Sequence, residues 1–137
     1  MKQLLPLLTL LFLACASLAA QHTAKKHHNA VASNVKKGTA SYYAQKFQGK
    51  VMANGQKFDQ TRLTAACNIL SLGTWVKVSN LRNKKSVIVQ ITDRMHPKNK
   101  RLIDVSKAAA KQLGFLSRGL AKVEVEVLEN HQKEDIK

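Results

Sequence analysis

Acidic residues are scarce in this chain. Eight Asp and Glu stand against 23 Lys and Arg in 137 residues, a formal charge of +15. No acid precedes Asp59, and five of the eight follow Ala121. Between Gly38 and Leu120 only Asp59, Asp93 and Asp104 remain, so carboxylate chemistry in that span must draw on one of these three. The net positive field favours polyanionic partners: nucleic acid, anionic lipid headgroups or anionic cell-wall polymers.

Cysteine is almost as rare. The chain has two, Cys15 and Cys67. Cys15 lies in a leader-like segment, which leaves Cys67 alone and excludes an internal disulfide. The fold must close without a covalent staple. Clustered metal ligands are missing too: the pair His27-His28 has no Cys or acid nearby and makes a poor site, so no metal and no cofactor are expected.

Long apolar runs are limited to residues 4–14, which contain one Pro and one Thr. Lys2 precedes this run, and small residues from Ala14 to Ala20 follow it. The pattern reads as a secretory signal over residues 1–19, too short for a comfortable membrane span. Ser17-Leu18-Ala19 suits cleavage after Ala19; lipid attachment at Cys15, after Phe12-Leu13-Ala14, is the alternative. Export argues against nucleic acid as the working partner. An exported protein is therefore expected.

Residues 20–37 are polar and basic without apolar periodicity and read as a disordered linker. The folded domain is expected over residues 38–129, with a charged tail over 130–137. Residues 38–44, GTASYYA, suit a strand. Residues 45–60 carry Gly49 and the turn pair Asn54-Gly55 and form a long loop, with room for a short turn of its own. A short strand is expected within 61–67. Alternation over 74–80 puts Val76 and Val78 on one face, and over 86–92 puts Val87, Val89 and Ile91 on one face, which makes a hairpin. A short strand over 101–105 leads to Ser106, a good N-cap for a helix over 107–113 that ends at Gly114. Val123, Val125 and Val127 alternate with Lys122, Glu124 and Glu126 in a last strand. The sum is mainly β: five or six short strands with one or two short helices, consistent with a small barrel whose closure removes sheet edges.

Seven short motifs then come in a telling order. GTASYYA, NGQKFD, LTAAC, LGTWVKVSNL, VIVQITDR, RLIDVS and AAKQLG together resemble the rare lipoprotein A (RlpA) family, over residues 38 to about 128. The resemblance implies a six-stranded double-psi β-barrel, shared with expansins. It implies a lytic transglycosylase, a lyase that cuts the MurNAc–GlcNAc β-1,4 bond of denuded peptidoglycan strands and leaves 1,6-anhydroMurNAc ends, in cell-wall remodelling or septation. Longer members carry a C-terminal sporulation-related repeat domain, for which the residues after Leu128 are expected to be too few.

The family's three catalytic positions, a Glu, a His and an Asp, fall here on Gln56, Cys67 and Asp93, and only Asp93 keeps the family's residue. A lytic transglycosylase uses the sugar's own 6-hydroxyl as nucleophile, so one carboxyl can donate and then accept the proton. Asp93 is therefore the expected catalytic residue. Gln56, Cys67, Arg94, His96, Tyr43 and Asn54 are substrate-binding candidates, with a small buried filler as the alternative for Cys67, and Tyr42 and Trp75 are further candidates as sugar platforms. Asp104 is expected to favour the helix start and Asp59 to order the loop before residue 60. The expected partner is the peptidoglycan glycan strand, met by a monomer. A catalytically impaired, expansin-like glycan-binding module is the competing reading, because Gln56 cannot exchange a proton.

Overall fold

The computed structural model describes residues 34–129. The expected leader with Cys15, most of the linker and the 130–137 tail lie outside the described residues.

Six strands close into a barrel. They are β1 (Val35–Tyr42), β2 (Thr64–Ala66), β3 (Trp75–Asn80), β4 (Ser86–Asp93), β5 (Ile103–Val105) and β6 (Ala121–Val127), with helix α1 (Lys107–Leu113) between β5 and β6. Around the barrel the order is β1-β5-β2-β4-β3-β6. Two pairings, β1 with β5 and β2 with β4, are parallel; the other four are antiparallel. This is the double-psi β-barrel that the motifs imply.

The alternating valines build the core. Val76 and Val78 of β3, Val87, Val89 and Ile91 of β4, and Val123 and Val125 of β6 are buried. Ala40, Ala65, Ile103 and Val105 come from the remaining strands. β-Branched side chains suit this role because they pack well on a pleated surface. Helix α1 adds Ala109, Ala110 and Leu113 to the same cluster, and Phe115 follows. Its ends are fixed as its sequence predicts. Ser106 Oγ accepts from the Ala109 N–H at 3.3 Å, and Gly114 is left-handed at φ 72°. The Leu113 carbonyl then accepts from both Asn80 Nδ2 and Asn83 Nδ2 at 2.9 Å, which ties the helix end to the β3–β4 turn.

Several boundaries differ from the sequence-based ones. β1 begins at Val35, three residues inside the expected linker, because Val35, Lys36 and Lys37 pair with Glu126, Val125 and Glu124 of β6. It stops at Tyr42, so Tyr43 and Ala44 belong to the following loop. β5 starts at Ile103 rather than residue 101. The loop after β1 holds a single 3-10 turn, Gln45–Phe47.

Asp104 is not at the helix start. It lies within β5, opposite Ser41 of β1, and its Oδ1 accepts the Ser41 hydroxyl. Arg101 Nη1 donates to that same Ser41 oxygen at 3.0 Å. The parallel β1–β5 register, which periodicity cannot reveal, decides this placement. Asp59 does order its loop: its Oδ1 accepts from the Thr61 N–H at 2.9 Å and the Thr61 hydroxyl at 2.8 Å, and these bonds hold its carboxyl below the usual range.

Candidate active site

Asp93 closes β4. Strict alternation would place it in phase with Val87, Val89 and Ile91, inside the barrel. The parallel register between β2 and β4 instead slips between Ala65 and Ala66, which face Ile91 and Asp93. Ile91 and Thr92 are both buried as a result, and Asp93 emerges half-exposed at the rim.

A small hairpin over residues 50–58 docks beside it. The Phe58 N–H donates to the Lys50 carbonyl and the Met52 N–H to the Gln56 carbonyl around a Val51–Lys57 bridge, and Gly55 turns the tip at φ 85°, a left-handed value that suits glycine. Buried Met52 accepts the Thr92 hydroxyl on its sulfur at 3.3 Å, and the Asn54 N–H donates to the Thr92 carbonyl at 3.2 Å. The hairpin is thereby pinned to the end of β4. Its Ala53 N–H reaches Asp93 Oδ1 at 2.8 Å.

Three donors converge on the carboxylate. Oδ1 accepts the Ala53 and Arg94 backbone N–H groups, each at 2.8 Å. Oδ2 accepts the Tyr43 hydroxyl at 2.8 Å. A carboxylate oxygen offers about two lone-pair sites. Oδ1 is therefore filled by protein, while Oδ2 keeps one site open to a ligand.

Tyr43 is held as firmly as Asp93. Its ring stacks on Phe58 at 4.1 Å between centroids and meets the edge of Phe47 at 5.7 Å. Its carbonyl accepts from Gln60 Nε2 at 2.8 Å, and Gln60 Oε1 in turn accepts the Lys107 N–H at the start of α1. Burial pushes the phenol well above its ordinary value. The hydrogen bond to Asp93 and the charges of Asp93 and Asp104 push it further in the same direction. Tyr43 therefore stays a protonated donor.

The other candidates divide. Asn54 and Gln56 sit exposed on the hairpin beside Ala53, bonded to each other through Asn54 Nδ2 to Gln56 Oε1 at 3.3 Å and the Gln56 N–H to Asn54 Oδ1 at 3.0 Å. They share the rim with Asp93. Cys67 does not belong there. Its side chain is 1% exposed and part of the core, so it cannot touch a ligand; only its backbone joins the site, the Cys67 N–H donating to the Asp93 carbonyl at 3.1 Å. The Arg94 guanidinium turns away from the Asp93 carboxylate. It donates to the Cys67 carbonyl, and to the Leu70 carbonyl at 2.6 Å, and so braces the loop after β2.

His96 is not brought to Asp93 either. Its Nδ1 accepts from the Lys98 N–H at 3.2 Å, and it lines a basic cavity with Lys98 and Arg101 that contains none of Asp93, Tyr43, Asn54 or Gln56. Tyr42 is structural: its hydroxyl donates to the Leu116 carbonyl at 2.9 Å. Sequence reasoning missed the Ala53 N–H, the Phe58 platform and Gln60. The Asn54-Gly55 turn pair was the available signal for the first of these. Among the described residues no group of His, Cys, Asp and Glu could hold a metal ion.

A rim carboxylate fixed on a six-stranded barrel defines the class. The family described as lytic transglycolase matches residues 35–125, and the chain belongs to this family of double-psi β-barrel domains. Within it, the chain is 42% identical over 112 residues to the endolytic peptidoglycan transglycosylase RlpA of Haemophilus influenzae, a match covering 82% of this chain and 39% of that protein. It is 49% identical over 89 residues to RlpA of Pseudomonas aeruginosa, covering 65% of this chain and 26% of that protein. The chain thus corresponds to well under half the length of these relatives. The crystal structure of Clavibacter michiganensis expansin is similar in fold, with a TM-score of 0.56 at 21% identity over 70% of this chain and 51% of that one.

Proposed function

We propose that this protein is a peptidoglycan lytic transglycosylase in which Asp93 carries both proton transfers. The observation behind this reading is the single open site on Asp93 Oδ2, beside a Tyr43 hydroxyl that stays protonated. The relatives' name gives the reaction class.

In the proposed reaction a protonated Asp93 gives its proton to the glycosidic oxygen as the bond to the MurNAc anomeric carbon breaks. The same carboxylate then takes the proton from the MurNAc 6-hydroxyl as that oxygen bonds to the anomeric carbon. One C–O bond breaks, one forms, one proton passes from the 6-hydroxyl to the leaving oxygen, and no water is consumed. Tyr43, Ala53 and Arg94 fix the carboxyl by hydrogen bonds, and positioned proton transfer of this kind contributes about 10²–10⁴ in rate. Asn54 and Gln56, exposed on the adjoining hairpin, are the groups we assign to sugar hydroxyls.

The proposal extends to setting. The leader-like residues 1–19 support export to the bacterial envelope, with cleavage after Ala19 or a lipid anchor at Cys15 as the two ways of release or retention. The basic linker ahead of β1 would let a monomeric barrel reach denuded glycan strands.

A glycan-binding module without cleavage is the second reading. It is favoured by one observation: Gln56 cannot exchange a proton and the Cys67 thiol is buried, so neither supplies a second acid or base. Incubating the purified protein with denuded peptidoglycan strands and analysing the products by mass spectrometry separates the two. The enzyme yields 1,6-anhydro-ended fragments. Pelleting with the glycan without such fragments identifies the binder.

A further inference from the structure

Three concavities lie away from Asp93 and share walls. The first, about 550 Å³, carries Arg82, Arg118 and Lys122 over the buried Phe115 ring. The second, about 750 Å³, carries Lys98, Lys100 and Arg101, and has Thr39 and Leu120 in common with the first. The third, about 410 Å³, shares Asn99, Lys100 and Arg101 with the second. Through these shared residues they adjoin as one recess, on the side of the barrel where β6 begins beside Thr39 of β1 and the 94–102 loop folds over.

Its charge is of one sign. No Asp or Glu lines any of the three. Among the described residues Asp59, Asp93 and Asp104 accept internal hydrogen bonds, and the one ion pair joins Glu124 to Lys37, which stands on the wall of the third concavity, at 3.5 Å. None of the six basic side chains named above forms an ion pair among the described residues, and Arg101 is joined to Asp104 only through Ser41. Like charges gathered in a concave, low-dielectric groove focus the field on whatever enters it.

We propose that this recess binds a linear polyanion, a thread-like polymer carrying phosphate or carboxylate groups at intervals along an uncharged backbone. Arg forks and Lys ammonium groups both take such anions. Leu120, 51% exposed between the first two concavities, and Phe115 beneath offer apolar contact to the backbone between charges. The shape favours a thread over an anionic bilayer, because a planar surface meets protruding side chains and not the floor of a continuous recess. The binding is independent of glycan cleavage at Asp93.

The test measures binding of fluorescently labelled inorganic polyphosphate to the full chain, by anisotropy across a salt series. The Lys98→Gln/Lys100→Gln/Arg118→Gln variant should bind about tenfold more weakly, and its plot of log affinity against log salt should be shallower by about 2. A control with the same charge loss outside the recess, Lys77→Gln/Lys107→Gln/Lys111→Gln, should lose less than about threefold. All six side chains are exposed, so both variants should keep the parent melting temperature. Equal losses in both variants would show diffuse attraction and overturn the recess. So would recess-dependent binding to vesicles of anionic lipid with no binding to polyphosphate.

Discussion

Tyr43 and Asp93 form a pair in which one residue's chemistry depends on the other's. The phenol holds its proton to higher pH than an ordinary tyrosine because it is buried against Phe58 and donates to a carboxylate. A tyrosine whose folded value is raised contributes stability that is whole below its unfolded value of about 10 and is lost as pH climbs through the folded value. The stability difference between the parent protein and Tyr43→Phe should accordingly be constant at neutral pH and shrink above about pH 10, as read from denaturant melts across pH. At neutral pH the same variant should lose about 1 kcal/mol for the missing hydrogen bond. Its cleavage rate should fall roughly tenfold as Oδ2 loses its fixed partner. At this scale the sequence pointed to Asp93 and Tyr43 through the motifs that carry them. It left Cys67 between a ligand contact and a buried filler because β2 is only three residues long, too short for alternation to say which side chains face inward. It misplaced Asp104 because a partner 63 residues away, Ser41, leaves no local trace.

The hairpin over residues 50–58 is the element that turns a strand end into a site. Gly55 holds a left-handed backbone at its tip, and an ideal Cβ there meets nothing within 4 Å. The cost of Gly55→Ala is thus backbone strain alone, about 1–2 kcal/mol. We expect a small drop in melting temperature and a larger loss of product, because a relaxed tip withdraws the Ala53 N–H from Asp93. Helix α1 offers the contrasting case. Ser106→Ala removes the helix cap and should cost about 1 kcal/mol in thermal or denaturant unfolding. The helix was legible in full, from Ser106 to Gly114, because capping residues act locally. The hairpin was legible only as a turn pair within a long loop, since its docking depends on Met52 and Thr92 meeting across 40 residues.

For the whole molecule, closure replaces the covalent staple that the sequence lacks. Six short strands leave no free edge, and Leu113 and Phe115 complete the packing where α1 meets the barrel. Leu113→Ala should therefore destabilise the protein by about 2–5 kcal/mol, as a buried cavity does, in a single cooperative transition seen by circular dichroism. Alternating valines made the strands readable, but not their order: the two parallel pairings join segments that are distant in the chain, and the slip between Ala65 and Ala66 that brings Asp93 to the rim has no sequence signature. In the proposed reaction this one carboxylate performs both proton transfers. The most direct test is Asp93→Asn, which preserves shape and an acceptor for the Ala53 and Arg94 N–H groups, assayed on denuded glycan strands by mass spectrometry. The expected result is a folded protein that still pellets with the glycan and yields no 1,6-anhydro ends above background. Undiminished 1,6-anhydro product from Asp93→Asn would contradict it.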